Sequence, residues 1–314
     1  MSPKRKSKID LIIPVYNEAD VVEQTHATLR EVLDQLPYQF VIYYVDDGSS
    51  DGTVDSLRSI SSSDPRVILL TFSRNFGHQA ALTAGLDASQ GDFVISLDAD
   101  GQHPPEMIQQ MLELFEQGYD IVQAQRIESD RTFNFKQVSS SIFYNVINRI
   151  SGTQFVPGAA DFRGMNRQTV DVLKSMPEYH RFLRGMVSWI GFKTAILPYH
   201  EPSRSAGKSK YSLDKMFRLA SDAIFSFSLI PLYIGLSAGG VFFLLAAIEM
   251  FYVISLWYRG DTSELAPGWS SLMFVILIAS GVLMIILGFI GIYVGYIFQE
   301  VKKRPIYILQ KRED

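Results

Sequence analysis

The chain has 314 residues, room for one globular domain of roughly 200–230 residues and a further unit. Its formal net charge of −4 excludes the global positive field of a nucleic-acid binder, although its basic residues are clustered. It holds no cysteine, which excludes a disulfide framework and a thiolate metal site and suits a reducing compartment. Residues 1–8 are short and basic. The apolar run 9–15 is too short, and too soon broken by Pro14, for a signal-peptide core, so the N-terminal domain is expected to stay on the side where it is made.

From residue 8 to about 125, short apolar runs alternate with helical patterns. Residues 10–15, 40–45, 67–72, 93–97 and 120–124 read as buried strands, each bounded by polar turns. Residues 18–36, 53–61, 78–88 and 105–117 carry apolar side chains at helical spacing, and Gly118 is a fitting stop for the last. This alternation predicts an α/β fold with a mainly parallel sheet covered on both faces. In such sheets ligands gather beyond the carboxyl ends of the strands.

Residues 134–150 and 211–227 each place apolar side chains on one helical face, fitting either core packing or the membrane surface. Residues 229–258 and 269–298 are nearly uncharged and long enough to span a bilayer. Arg204, Lys208, Lys210, Lys215 and Arg218 precede the first span, and Lys302, Lys303, Arg304, Lys311 and Arg312 follow the second. The link sets Arg259 against Asp261 and Glu264, so the positive-inside rule puts both ends in the cytoplasm. Glu249 lies inside the first span, a position that marks a functional suspect. Residues 305–309 have strand character and are expected to pair with a sheet edge, their own or a neighbour's. The expected organisation is a globular domain over 1–205, an interfacial stretch over 206–228, the hairpin over 229–298 and a basic tail over 299–314.

The unusual polar residues sit just after the strands. Asp98-Ala99-Asp100 ends the fourth: two carboxylates two residues apart suit a divalent cation, with Gln102 a further oxygen, though such a pair also arises by chance. Pro14-Val15-Tyr16-Asn17-Glu18 follows the first strand and sets an aromatic ring beside a carboxylate, which suits a planar base. Asp46-Asp47-Gly48-Ser49 follows the second and is, taken alone, also an ordinary turn. Ser73-Arg74-Asn75-Phe76-Gly77 follows the third and opens a helix with a cation nearby, which suits an anion.

In this order the four motifs resemble the inverting family-2 glycosyltransferases, and the later segments resemble their polyprenyl-phosphate branch. Those segments are Ala160-Asp161-Phe162-Arg163, Arg181-Phe182-Leu183-Arg184-Gly185, Trp189-Ile190-Gly191-Phe192 and Arg204-Ser205-Ala206-Gly207-Lys208-Ser209-Lys210-Tyr211. The likeness runs over nearly the whole chain. It departs at Ala160, where glycine is usual, and at Gly101 and Gly164, where leucine is common. The Gln-x-x-Arg-Trp signature of processive synthases is absent.

The resemblance implies a GT-A, Rossmann-like nucleotide-diphospho-sugar transferase fold. It implies that Pro14, Tyr16, Glu18, Asp46 and Asp47, with Arg74, hold the nucleotide of a UDP-sugar. It places Asp98 toward the ribose or sugar and, with Asp100 and Gln102, on Mg2+ or Mn2+. Asp161 is implied as base or positioning group, paired with Arg163. Because a lipid phosphate is already anionic, cations rather than a base should recruit it; Arg126, Arg131, Arg163, Arg204 and Lys210 are the candidates, with plain surface charge as the alternative. The implied reaction inverts configuration and yields a polyprenyl-phosphate hexose, glucose by the likeness of the hairpin. GDP-mannose as donor and another lipid such as diacylglycerol as acceptor are the nearer alternatives; a non-catalytic scaffold or a flippase is a different class. A homo-oligomer through the spans and tail, and a flippase partner, are further expectations.

Overall fold

The computed structural model describes residues 7–127, 159–200, 230–260 and 268–310. The chain divides into two compact units, Met1–Arg218 with Arg304–Asp314, and Leu219–Lys303.

The first unit is built on seven strands: β1 Lys8–Val15, β2 Gln39–Asp46, β3 Val67–Thr71, β4 Phe93–Ser96, β5 Ile121–Ile127, β6 Ala159–Asn166 and β7 Thr194–His200. Its described helices are α1 Val22–Leu33, α2 Thr53–Ser63, α3 His78–Ala88, α4 Met107–Glu116, α5 Arg167–Ser175 and α6 Leu183–Ile190. The sheet order is β3-β2-β1-β4-β6-β5-β7. The five expected strands and the four helices between them are all present. β6, α5, α6 and β7 were not among the expected elements.

β1 sits centrally because it is apolar on both faces; all its residues from Ile9 onward are buried. On one face Ile9, Leu11, Ile13 and Val15 join Val22 and Leu29 of α1, Leu57 of α2 and Ile108 and Leu112 of α4 in a continuous core. On the other face Ile12 meets α3 at Gly85, where a β-carbon would lie 2.3 Å from Ile12 Cγ2.

β1, β2, β3 and β4 pair in parallel, while β6 runs antiparallel to both β4 and β5. β5 and β7 are parallel to each other. Among the described strands β6 is therefore the single reversal, and its beginning lies at the sheet edge where β1–β5 end. Ser96 at the end of β4 faces Arg163, which brings Asp161 beside the residues that follow β4. Gly164, one of the departures from the family pattern, makes room for a neighbour: a β-carbon there would lie 2.7 Å from the ring of Phe115, which stacks on Phe93.

The tail returns to the first unit. Leu309 forms an antiparallel bridge to Phe72, so the tail meets the expectation of edge pairing on the chain's own β3 side. The second unit contains α7 Ile230–Arg259 and α8 Trp269–Lys302, matching the two expected long helices, the latter continuing to Lys302. They pack where Gly235 faces Ile286; a β-carbon on Gly235 would sit 3.0 Å from the Ile286 side chain. Among the described residues one stretch, Ile278–Lys302, is long and apolar enough to cross a membrane. The helical patterns expected over 134–150 and 211–227, and the spacing that contains Arg131, Arg204 and Lys210, lie outside the described residues.

Candidate active site

The carboxyl ends of the parallel strands form one rim, and the expected residues line it. After β1, Asn17 takes a left-handed conformation with φ 53° and turns the chain. Its amide donates to Ser49 Oγ at 2.9 Å, and its side-chain oxygen accepts from the Ser50 amide at 2.9 Å. The Glu18 amide donates to Thr53 Oγ1 at 2.9 Å. The turns after β1 and β2 are thereby fastened together. Tyr16 stands exposed at 43 % beside them, a ring open to a planar ligand.

Asp46 and Asp47 are both buried. Asp46 accepts from the Ser49 amide at 3.3 Å. Asp47 accepts from the Phe76 amide at 2.7 Å and the Gly77 amide at 3.1 Å, so it reaches across to the turn after β3. Burial raises both carboxyls above their ordinary value, against the amides that lower them. Gly48, at φ +70°, lets the two turns touch: a β-carbon would lie 2.4 Å from the Arg74 carbonyl carbon. Arg74 itself is exposed and lies over the Phe76 ring, its guanidinium carbon 4.3 Å from the centroid.

After β4 the chain makes a tight polar turn. Asp100 Oδ1 accepts from the Gln102 amide at 3.1 Å, and Gly101 supplies the left-handed conformation with φ 71°. Leucine is common there in the family, so glycine eases this turn. Gln102 is buried, and the Asp98 side chain is about a third exposed at 36 %.

Asp98 and Asp161 between them face three groups that the sequence reading had not assigned to the site. The Asp98 amide donates to His103 Nδ1 at 2.9 Å, which leaves the ring proton on Nε2, 3.7 Å from Asp98 Oδ2. His103 is held by stacking on Phe162 of β6, centroids 4.8 Å apart. His78, first residue of α3, lies 3.8 Å from Asp98 Oδ1 and 3.1 Å from Asp161 Oδ2. Arg184 of α6 grips Asp161 with two nitrogens, at 3.0 and 2.9 Å. Each of the three stands inside or beside a motif already singled out; what the sequence lacked was the β6 reversal that gathers them.

Asp161 is the centre of this cluster. It is 3 % exposed, and Arg163 adds a third contact and a second guanidinium at 2.8 Å. Burial alone would raise its carboxyl; Arg184, His78 and Arg163 together hold it well below the usual carboxylate range. It is thus a fixed anion at neutral pH. Arg126 stands exposed near the end of β5, on the same rim, opposite Tyr199 of β7.

Among the described residues no three acidic or histidine side chains converge to hold a metal alone. Asp98, Asp100 and Gln102 share the turn after β4 and carry the oxygen donors that a hard dication prefers.

A family model described as glycosyl transferase family 2 matches residues 10–173, which contain the turns after β1, β2, β3 and β4 and Asp161. The chain belongs to glycosyl transferase family 2. This family-2 glycosyltransferase is 40 % identical over 307 residues to an uncharacterized glycosyltransferase, YkcC, of Bacillus subtilis, covering 98 % of this chain and 94 % of that one. It is 38 % identical over 308 residues to a prophage-derived bactoprenol glucosyl transferase of Shigella flexneri, covering 97 % and 98 %. Its fold resembles mannosyl-3-phosphoglycerate synthase from Rubrobacter xylanophilus, with TM-score 0.50 and 18 % identity over 69 % of this chain and 71 % of that one, a likeness of fold alone. The transferase resemblance read from the motifs is thus confirmed.

Proposed function

We propose that this glycosyltransferase moves glucose from UDP-glucose to a polyprenyl phosphate at the cytoplasmic face of a membrane, with inversion. The name of the Shigella flexneri relative, matched nearly end to end, supports the sugar and the carrier.

The observation that carries the acceptor half is the state of Asp161. A sugar or glycerol hydroxyl must lose a proton to attack, and the base must be free to take it. Asp161 is saturated by Arg163, Arg184 and His78 and held ionised, which suits positioning rather than proton uptake. A phosphate monoester arrives already charged and needs no base. In the reaction its oxygen attacks the anomeric carbon, the bond from that carbon to the UDP oxygen breaks, and the electron pair leaves with UDP; no proton moves.

On the donor side, Tyr16 and Glu18 border the nucleoside, Asp46 and Asp47 shape the turns, and Arg74 meets the diphosphate. Asp98, Asp100 and Gln102 would hold Mg2+ or Mn2+, which when bound offsets charge on the departing diphosphate. Asp98, with His78 and His103 beside it, orients the sugar. Arg126, with Arg131, Arg204 and Lys210, recruits the lipid phosphate in this reading.

The membrane half rests on α8 and on chain path. No residue of the window Ile278–Lys302 is buried within the protein, and Leu244, Ile248 and Phe251 of α7 are more than half exposed. Such apolar surface on a soluble chain would be anomalous; in lipid it is solvated.

The test is direct. Purified full chain is incubated with UDP-glucose, UDP-galactose or GDP-mannose, a polyprenyl phosphate and Mg2+ or Mn2+, and the lipids are analysed by mass spectrometry. The expected product is a polyprenyl-phosphate hexose from UDP-glucose, lost on chelation and in the Asp98→Ala/Asp100→Ala double variant. Product from GDP-mannose alone would overturn the donor, and product made only on diacylglycerol would overturn the acceptor.

A further inference from the structure

The tail after α8 touches the rim at a place the mechanism above does not use. The Ser73 amide donates to the Ile308 carbonyl at 3.0 Å, and the Gln310 amide donates to the Thr71 carbonyl at 2.8 Å. These bonds cap the free side of β3, and protection of a sheet edge would need nothing more.

Tyr307 does more than cap. Its ring stacks flat on Phe72, centroids 5.2 Å apart at 11°. Phe72 meets Phe76 edge-on at 5.6 Å, and Phe76 carries the Arg74 guanidinium over its face. A ladder of four side chains therefore runs from the tail to Arg74. At the same time the Tyr307 hydroxyl donates to Asp87 Oδ2 at 3.0 Å, near the end of α3. Tyr307 thus ties the end of β3 to the far end of α3, the two elements that the 73–77 turn connects. The Phe76 and Gly77 amides of that turn are the ones bound to Asp47.

We propose that Tyr307 is a positioning residue for the donor: through Phe72 and Phe76 it fixes the turn that presents Arg74 to the diphosphate. The inference rests on the donor role of Arg74 given above. Stiffening the turn before the donor arrives lowers the ordering cost of binding and leaves the chemical step untouched.

The test uses the full chain in detergent with UDP-glucose, polyprenyl phosphate and Mn2+, and compares Tyr307→Ala, Tyr307→Phe and Arg74→Ala. Tyr307→Ala is expected to raise the donor KM roughly three- to tenfold, the scale of one lost aromatic pair. Its kcat at saturating donor and its acceptor KM should stay within about twofold of the parent, the signature of lost ground-state binding. Hydrogen exchange of the peptide covering residues 73–78 should speed up. Tyr307→Phe keeps the stack and should restore the donor KM. Unchanged exchange and unchanged donor KM in Tyr307→Ala overturn the role of Tyr307, as does a loss confined to kcat. If Arg74→Ala raises the donor KM while Tyr307→Ala does not, only this inference falls. If Arg74→Ala leaves the donor KM unchanged, the donor reading of the turn falls and takes the inference with it. Should Tyr307→Ala not fold, Tyr307→Leu is judged by the same KM and exchange criteria.

Discussion

At the scale of single residues, the site separates carboxylates by what surrounds them. Asp98 is partly open, flanked by two imidazoles; Asp161 is closed in by two guanidiniums and His78. The same functional group is thereby partly open in one case and committed as a counter-ion in the other. Asp161→Asn keeps the shape but removes the charge on which Arg163, Arg184 and His78 converge. Breaking a buried ion cluster from one side costs about 3 kcal/mol or more, because the cations stay behind. The variant is therefore expected to show a clearly lower thermal midpoint together with at least a tenfold loss of kcat, and little change in UDP binding. Turnover and midpoint both at parental level would remove Asp161 from the mechanism and from the stability of the site. The sequence reading singled out Asp98 and Asp100 by their local spacing, and Asp161 with its Arg163 partner by the family resemblance. It passed over His78, His103 and Arg184, whose role arises from three elements meeting.

At the scale of elements, the strands most plainly read are those buried on both faces. β1, β2 and β4 carry the apolar runs Leu11–Val15, Phe40–Val45 and Phe93–Ile95, and their burial fits that reading. β6 spells Ala-Ala-Asp-Phe-Arg-Gly-Met-Asn, with an ion pair and a glycine where apolar residues are expected. Its polar residues point at the site, so the feature that makes it functional is the one that hid it. β7 contains Pro198 and alternates exposed with buried positions, as an outer strand can. α3 shows the opposite balance: seven of its residues in succession, Ala80–Leu86, are buried, and Gly85 lets it lie against Ile12 of β1. Since α3 carries His78 at its first position, its seating sets the distance from His78 to Asp98 and Asp161. Gly85→Ala places a methyl where 2.3 Å is available. The expected cost is about 1–3 kcal/mol from overpacking. Activity should fall with it as α3 is displaced. A crystal structure or thermal melt showing the helix unmoved and the stability unchanged would refute this account of the packing.

At the scale of the whole molecule, the chain path constrains the membrane topology. Residues up to Arg218 and from Arg304 belong to one unit, and the intervening Leu219–Lys303 forms the other. A chain that leaves a unit, enters a bilayer and returns to that unit must cross an even number of times. If α8 crosses, α7 must cross as well. At about 1.5 Å per residue, helices of 30 and 34 residues exceed the roughly 30 Å hydrocarbon thickness. By the positive-inside rule the basic clusters on both flanks lead us to expect the catalytic unit and tail in the cytoplasm and Gly268 on the far side. The absence of cysteine makes the chain its own background for a labelling test. Gly268→Cys and Gln310→Cys, each alone, are exposed in intact cells and in inverted vesicles to a membrane-impermeant maleimide. Gly268→Cys should react in cells and Gln310→Cys in inverted vesicles. Both reacting from the same side would mean that the helices lie on the membrane or cross only once. A single crossing, by α7, would in turn be incompatible with the docking of Leu309 on Phe72, because one covalent chain cannot hold its tail against β3 from across the bilayer.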